Sequence, residues 1–304
     1  MGTNPQEERM SKLNIMASRH SAFYSPMICT IAGGFLEKEG LSGEYHVVEA
    51  GSTSGGAVAE GRMDVAQAAV SASWSPLDNG TRPAFAHFAQ INRYDGFFIA
   101  AREPDTDFSW SKLLSGKFLH VHGGQPEAML RYGAFKQGLD LSDVDDIPSP
   151  GGSEMMDQWS NGEGDYFHEQ GAFPQQLEHD GKGHIVGSVG EAVGPVAFSS
   201  LVGRWDWLET DDARRFAAAY KQSREWVNTA DPAEIARAEA DFFPDMAESA
   251  IASAVSFYQS LGTWSGGITI EEDLYQAALD VFEHSNLVGF RHAYSDVVAP
   301  PPVI

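Results

Sequence analysis

The apolar run Leu13-Asn-Ile-Met-Ala17 predicts a first strand. Pro26 stands at a helix-opening position, and apolar residues recur at helical spacing over residues 27–39, with Gly40 as the stop. Residues 45–50 alternate and are rich in strand formers, which predicts a second strand. The Gly/Ser stretch 51–56 predicts a loop, 57–60 the start of a helix, and 64–68 a third short strand. Strand, helix, strand, helix, strand in that order implies a parallel sheet.

The pattern then restarts. Residues 84–91 and 96–101 predict strands, the second as a crossover. A short helical piece at 112–114, a strand at 117–122 and a helix from about Pro126 to Gly138 follow. Extended 146–148, helical 154–159, a strand at 165–168, a helical start at 174–177 and a strand at 184–187 complete a second α/β unit. From Asp211 the chain reads as helical. Phe216, Ala219, Tyr220, Ser223 and Val227 form one stripe, Asp231-Pro232 caps the next helix, and 249–261 and 270–284 supply two more. Pro300-Pro-Pro302 predicts a loose tail.

Length and composition narrow the classes. The 304 residues suffice for two domains, and 42% hydrophobic with 21% charged residues is globular composition. The formal net charge of −23 excludes nucleic acid as an expected partner, because a phosphate backbone needs a basic face. One cysteine, Cys29, permits no intrachain disulfide and no thiolate cluster. No apolar run is long enough for a membrane span, and no signal-peptide pattern is seen. The expected location is periplasmic if a leader was removed and cytoplasmic if Met1 is the native start. A monomer or weak dimer is expected.

Four motifs resemble the nitrate/sulfonate/taurine and thiamine-precursor binding proteins, a family of the periplasmic-binding-protein type II superfamily. They are Ser21-Ala-Phe-Tyr-Ser-Pro26 leading into Ala32-Gly-Gly-Phe-Leu-Glu-Lys-Glu-Gly-Leu41; Ala59-Glu-Gly-Arg-Met-Asp-Val-Ala-Gln-Ala68; Leu113-Leu-Ser-Gly-Lys-Phe-Leu-His-Val-His-Gly-Gly124; and Gly162-Glu-Gly-Asp-Tyr-Phe-His-Glu-Gln170. The resemblance spans residues 13 to about 210. It implies an α/β fold of two lobes, each a mixed, mainly parallel sheet flanked by helices. Lobe one would hold 1–98 plus 197–304 and lobe two 99–196. It further implies a small-molecule ligand in the cleft and an ABC permease as a partner.

Ligands in such folds lie at strand C-termini and helix N-termini. The loop after the first strand therefore nominates Arg19, His20, Ser21 and Tyr24. Ser52 belongs to the Gly/Ser loop, and Ser71 and Trp74 follow the third strand. Trp74 offers either a stacking face or core packing. His122, with Gly124 and Gln125 at a helix start, and Asn92 near the crossover are further candidates. Glu154, His168, Glu169 and Glu191 follow strand-like runs, as acceptors or as solvated charges. His120 and His122 share a strand face, but spacing supplies no third ligand. No metal and no cofactor is expected.

A solute binder is the first reading: a small nitrogen-containing heterocycle or an organic acid or sulfonate. The alternative is a cytoplasmic enzyme on the same fold, resembling thiamine-precursor synthases or desulfinases. Against it, the positions near Ala68 and Ala72 lack the synthase His and Lys, and the position near Ser21 lacks the desulfinase Cys. His20 with Ser21, or His168 with Glu169, would be the remaining catalytic pairs.

Overall fold

A computed structural model describes residues 10–303. β1 (Ser11–Ala17) pairs in parallel with β2 (Leu41–Val47) on one side and β3 (Val65–Ala68) on the other. The predicted parallel opening is present, with two shifts. The helix expected over 27–39 is two, Ser25–Ala32 and Phe35–Lys38, because Gly34 between them sits at φ 68°, a left-handed turn that breaks the ladder. The second strand starts four residues before 45. Leu41 is fully buried opposite Ser11, so tertiary pairing extends the strand back through Ser42 and Gly43, which have little strand propensity.

β4 (Phe85–Asn92) and β10 (Ser199–Arg204) complete the first sheet, in the order β2-β1-β3-β10-β4. β10 runs antiparallel between β3 and β4. The pattern does not predict it, since two serines and a glycine in six residues are weak strand formers. Burial makes those serines useful. The Ser200 hydroxyl donates to the Ala68 carbonyl at 3.2 Å. It therefore accepts from Nδ1–H of His87 at 2.6 Å, leaving His87 Nε2 to accept from the Ser73 hydroxyl at 3.2 Å. Burial holds this histidine neutral, with its pKa down to about 3.

β5 (Phe97–Ala101), β6 (Phe118–Val121), β7 (Asp146–Ser149), β8 (Tyr166–Gln170) and β9 (His184–Ser188) form the second sheet, in the order β7-β6-β8-β5-β9. β6, β7 and β8 are parallel, and β5 lies antiparallel between β8 and β9. Each sheet is thus mixed and mainly parallel. The chain passes between them at 93–96 and again at 189–198.

The helices Asp211–Thr229, Pro232–Glu239, Glu248–Leu261 and Glu272–His284 follow. The first is capped by Thr210 Oγ1, which accepts from the Ala213 N–H at 3.2 Å, and it buries the Phe216–Val227 stripe. Glu248–Leu261 reaches across to the second sheet, where Phe257 and Tyr258 pack on Phe98 at 4.7 and 5.7 Å. The chain just ahead of the 300–302 tail is fixed. Val298 bridges His87, and the Ala299 N–H donates to the His87 carbonyl at 2.9 Å, covering the edge strand β4. Among the described residues no helix is long and apolar enough to cross a membrane.

Glu239 ends its helix fully buried. Its Oε1 accepts from the Ser25 hydroxyl at 2.8 Å, and the Cys29 thiol lies 3.7 Å from Oε2. Burial pushes the Glu239 pKa up to about 8, and burial with the nearby carboxyl pushes the Cys29 thiol up as well, so Cys29 is an inert core residue. The carboxyl keeps its proton when folded and loses it near its ordinary value of 4.5 when unfolded. Its contribution to stability is therefore complete at low pH and falls as pH rises through the folded value. Stability should drop by ~1 kcal/mol per pH unit from about pH 5 to about pH 8 on its account. Glu239→Gln should flatten that slope in denaturant melts taken across the range; an unchanged slope would count against a buried neutral carboxyl.

Candidate ligand site between the lobes

The C-terminal ends of strands from both sheets face one cleft, divided into two chambers. The larger is a cavity of about 510 Å³ between Arg19 and His20 after β1, the turn 150–153 after β7, Glu169 and Gln170 of β8, and the segment 242–246. The smaller, about 290 Å³, lies between Ser18 and Arg19, the ends of β3 and its following turn, and Gly124-Gln125-Pro126 at the start of the helix Gly124–Lys136. Arg19 and Gln170 line both chambers and form the wall between them.

Glu169 is 2% exposed. Its Oε2 accepts from the Gly152 N–H at 2.6 Å, at the start of the helix Gly152–Ser160, and its Oε1 accepts from the Gln170 N–H at 2.8 Å. Arg19 Nη1 lies 3.8 Å from Oε2, and its Nη2 donates to the Pro150 carbonyl at 3.1 Å. Burial raises the Glu169 pKa, opposed by Arg19 and the two backbone N–H donors. Gly151 makes this approach possible: it takes φ 89°, and a Cβ there would stand 2.5 Å from Glu169 Oε2 and 2.6 Å from Arg19 Nη1.

His20 is a wall residue with both ring nitrogens engaged. A carbonyl only accepts, so Nε2 carries the proton toward the Phe242 carbonyl at 2.6 Å, and Nδ1 accepts from the Tyr45 hydroxyl at 3.0 Å. Its ring stacks on Phe243 at 4.3 Å, and burial lowers its pKa, so it is a neutral positioning group. In the smaller chamber Gln67 is fully used: it accepts from Ser18 and donates to Ser199 Oγ at 3.1 Å. Gln125 Nε2 donates to the Phe198 carbonyl at 2.9 Å. Gln170 is not fully used. It is 2% exposed, and among the described residues its Nε2 reaches only the Tyr24 hydroxyl at 3.4 Å and its Oε1 has no partner.

Of the residues nominated from sequence, Arg19, His20 and Glu169 meet in the larger chamber, and Arg19, Tyr24, Ser71, Gly124 and Gln125 in the smaller. The rest fall elsewhere. Trp74 is buried, donating to the Tyr275 hydroxyl at 3.0 Å with its ring on Phe282 at 4.9 Å, so it is core rather than a stacking face. Ser21 is buried, and its hydroxyl donates to the Gly171 carbonyl, which leaves it no free face. Asn92 is buried under the crossover, accepting from the Trp264 indole at 2.9 Å. His168 is fully buried and stacked on Phe97 at 4.5 Å, with burial holding its pKa well below the usual range. His122 points to solvent beside Glu127 at 3.0 Å, and Glu154 and Glu191 are exposed on helix first turns. Ser52 sits in a turn closed by its N–H on the Glu49 carbonyl, outside both chambers. Neither proposed catalytic pair forms: His20 and Ser21 are each committed to other partners, and His168 and Glu169 are neighbours on a strand whose side chains alternate.

Sequence reasoning missed Gln67, Gln170, Phe242, Phe243 and Tyr258. The Phe-Phe-Pro run at 242–244, directly after a capped helix, was the one available signal for the aromatic wall. The Tyr258 hydroxyl donates to the Gly96 carbonyl at 2.7 Å and accepts from the Gly171 N–H at 2.9 Å. With Ser21 on the Gly171 carbonyl, this ties the loop after β1, the end of β8, the crossover and the C-terminal helix into one buried node. Among the described residues no three metal-ligating side chains cluster.

This architecture, two mixed five-stranded sheets with a cleft between lobes, is the fold of the periplasmic binding proteins. The chain is similar to solved members. The alkanesulfonate-binding protein SsuA from Xanthomonas axonopodis pv. citri, bound to MOPS, superposes with a TM-score of 0.71 at 12% identity, over 95% of this chain and 98% of that one. The nitrate-binding protein NrtA from Synechocystis PCC 6803 gives 0.68 at 15% identity, over 95% and 84%. YtlA of Bacillus subtilis (strain 168), a chain named as a binding protein, is 25% identical over 297 residues, covering 96% of this chain and 89% of its own. No family model matches the sequence. The resemblance to nitrate- and sulfonate-binding proteins read from the four motifs agrees with these relatives.

Tyr258→Phe removes one hydroxyl and leaves two buried backbone groups unpaired. It should cost about 1–3 kcal/mol in chemical denaturation. A loss within error of zero would show that the node carries no load between the lobes.

Proposed function

We propose that this chain is the solute-binding component of an ABC-type importer and holds a small nitrogen-containing heterocycle or organic acid in the interlobe cleft. The single observation that carries the reading is the buried carboxamide of Gln170. It stands on the wall between two cavities at the strand ends of both sheets, with an acceptor that no group among the described residues satisfies. A ligand N–H would complete it. Sheet membership supports a lobe division close to 1–98 with 197–304 against 99–196, with the first boundary moved ahead of β5 and the passages at 93–96 and 189–198 serving as hinges. The sulfonate- and nitrate-binding neighbours support a small polar ligand, and a further similar structure, the ligand-binding component of an ABC-type import system from Staphylococcus aureus (TM-score 0.72 at 16% identity), supports a permease as partner.

In a thermal-shift library of small solutes, one chemical group should stabilise the protein by about 2.7 kcal/mol at a hundredfold excess over its Kd. Mass spectrometry of the same samples should show the solute unchanged; turnover would replace the binder reading with a catalytic one. Small-angle scattering should show the radius of gyration falling when that solute is added to protein freed of ligand. An unchanged radius would exclude hinge closure.

A further inference from the structure

The first passage between the sheets, at 93–96, encloses a carboxyl outside both chambers. Asp95 is 1% exposed. Its Oδ1 accepts from the Phe97 N–H at 2.6 Å, and among the described residues its Oδ2 has no partner. The second passage closes on it. Gly190, in the first turn of the helix Val189–Val193, lies so near that a Cβ there would overlap the Asp95 carbonyl oxygen and meet Leu261. The helix Glu248–Leu261 brings the ionisable Tyr258, whose hydroxyl donates to the Gly96 carbonyl at 2.7 Å. Beyond Tyr258 lies Glu169, held by Arg19 and two backbone N–H groups. The loop after β1 brings Phe23 against Gly96, and β5 brings Phe97. Arg93 of the same passage is drawn away to Glu271 at 3.2 Å, Tyr94 is half-buried, and Glu191 of the second passage is exposed. No cation offsets the burial of Asp95.

A carboxylate in that place would be costly, having lost water and gained no opposite charge. The enclosure favours the acid form, and burial pushes the Asp95 pKa up to about 8. Three more buried polar atoms beside the passage, Gln90 Oε1, Asn92 Nδ2 and Thr263 Oγ1, also have no partner among the described residues. A rearranged passage could satisfy groups that this one leaves unpaired. Resting on the lobe division and hinges proposed above, we propose that Asp95 is a proton-controlled pin in the hinge: while its carboxyl holds the proton the two passages stay in contact, and its ionisation parts them and swings the lobes open. The arrangement with the passages in contact binds the proton more tightly than a parted one, in which water reaches the carboxyl and returns it toward its ordinary value of 3.8. Raising the pH therefore favours the parted arrangement. The ratio of closed to open lobes falls by up to about tenfold per pH unit and levels off above about pH 8. A solute held only by the closed form is released as the pH rises.

Small-angle scattering on ligand-free protein from about pH 5 to about pH 9 tests this, with circular dichroism to check that the chain stays folded. The radius of gyration should rise with pH in the wild type. Asp95→Asn keeps the acceptor for the Phe97 N–H and cannot ionise, so its radius should hold the low-pH value throughout. Asp95→Ser, which cannot ionise either, carries the same expectation should the first variant fail to fold. Glu239→Gln removes the other buried carboxyl whose pKa is pushed up to about 8, and it should leave the rise in place. Infrared difference spectra of wild type against the Asp95 variant should show a protonated carboxyl band at about pH 6 that fades by about pH 9. A wild-type radius independent of pH would overturn the proposal, as would a rise that persists without Asp95, a rise lost in Glu239→Gln, or the absence of that band. None of these outcomes touches the solute-binding reading, which falls only if no solute in the library binds.

Discussion

One phenol holds the two lobes in register. Tyr258 lies in a helix that belongs by sequence to the end of the chain, yet its hydroxyl bridges the Gly171 N–H of the second lobe and the Gly96 carbonyl of the crossover. Both backbone groups are taken from water, so each must have a partner or cost free energy. Ser21 meets the other side of Gly171. The position of Gln170, one residue before that glycine, follows from this node. So does the spacing across which Arg19 reaches Pro150 and Glu169. The cleft is shaped less by the strands than by the buried polar groups that fix their ends.

Charge is organised locally against a strongly acidic background. Glu169 would be costly as an isolated buried carboxylate. Two backbone N–H groups, a helix start and Arg19 offset that cost, and Gly151 admits all of them at close range. Both helix starts at the cleft are met by the protein's own carboxylates, Glu169 at the Gly152 N–H and Glu127 at the Gly123 N–H, each at 2.6 Å. Neutral His20 adds no charge; it pins the segment 242–246 to the loop after β1 through the Phe242 carbonyl and the Phe243 ring.

Much of the fold was legible because it is local. Leu13 to Ala17, Lys117 to His122 and His184 to Gly187 announce strands by β-propensity, and the helix Asp211–Thr229 announces itself by cap and stripe. β10 was not legible, because Ser199, Ser200 and Gly203 belong to a strand only through partners on β3 and β4, far away in the chain. The site divides the same way. Arg19, Glu169, Gly124 and Gln125 were readable as residues at strand ends and helix starts. Trp74, Asn92 and His168 occupy similar positions along the chain, yet they pack inward on Phe282, Trp264 and Phe97. Strand alternation alone does not say which of two buried faces looks into a cleft.

By itself, then, the amino-acid order determined the parallel opening of the first unit, the helices at the end, the single inert thiol and the acidic balance. Each of these depends on neighbours within a turn or two, or on a sum over the whole chain. Tertiary structure alone decided that an antiparallel strand would enter each sheet, that Phe242 and Phe243 would wall a cavity beside His20, and that Glu169 would fill the helix start at Gly152. Those outcomes join residues dozens to hundreds of positions apart. Burial and hydrogen-bond satisfaction select them only once the chain has closed on itself.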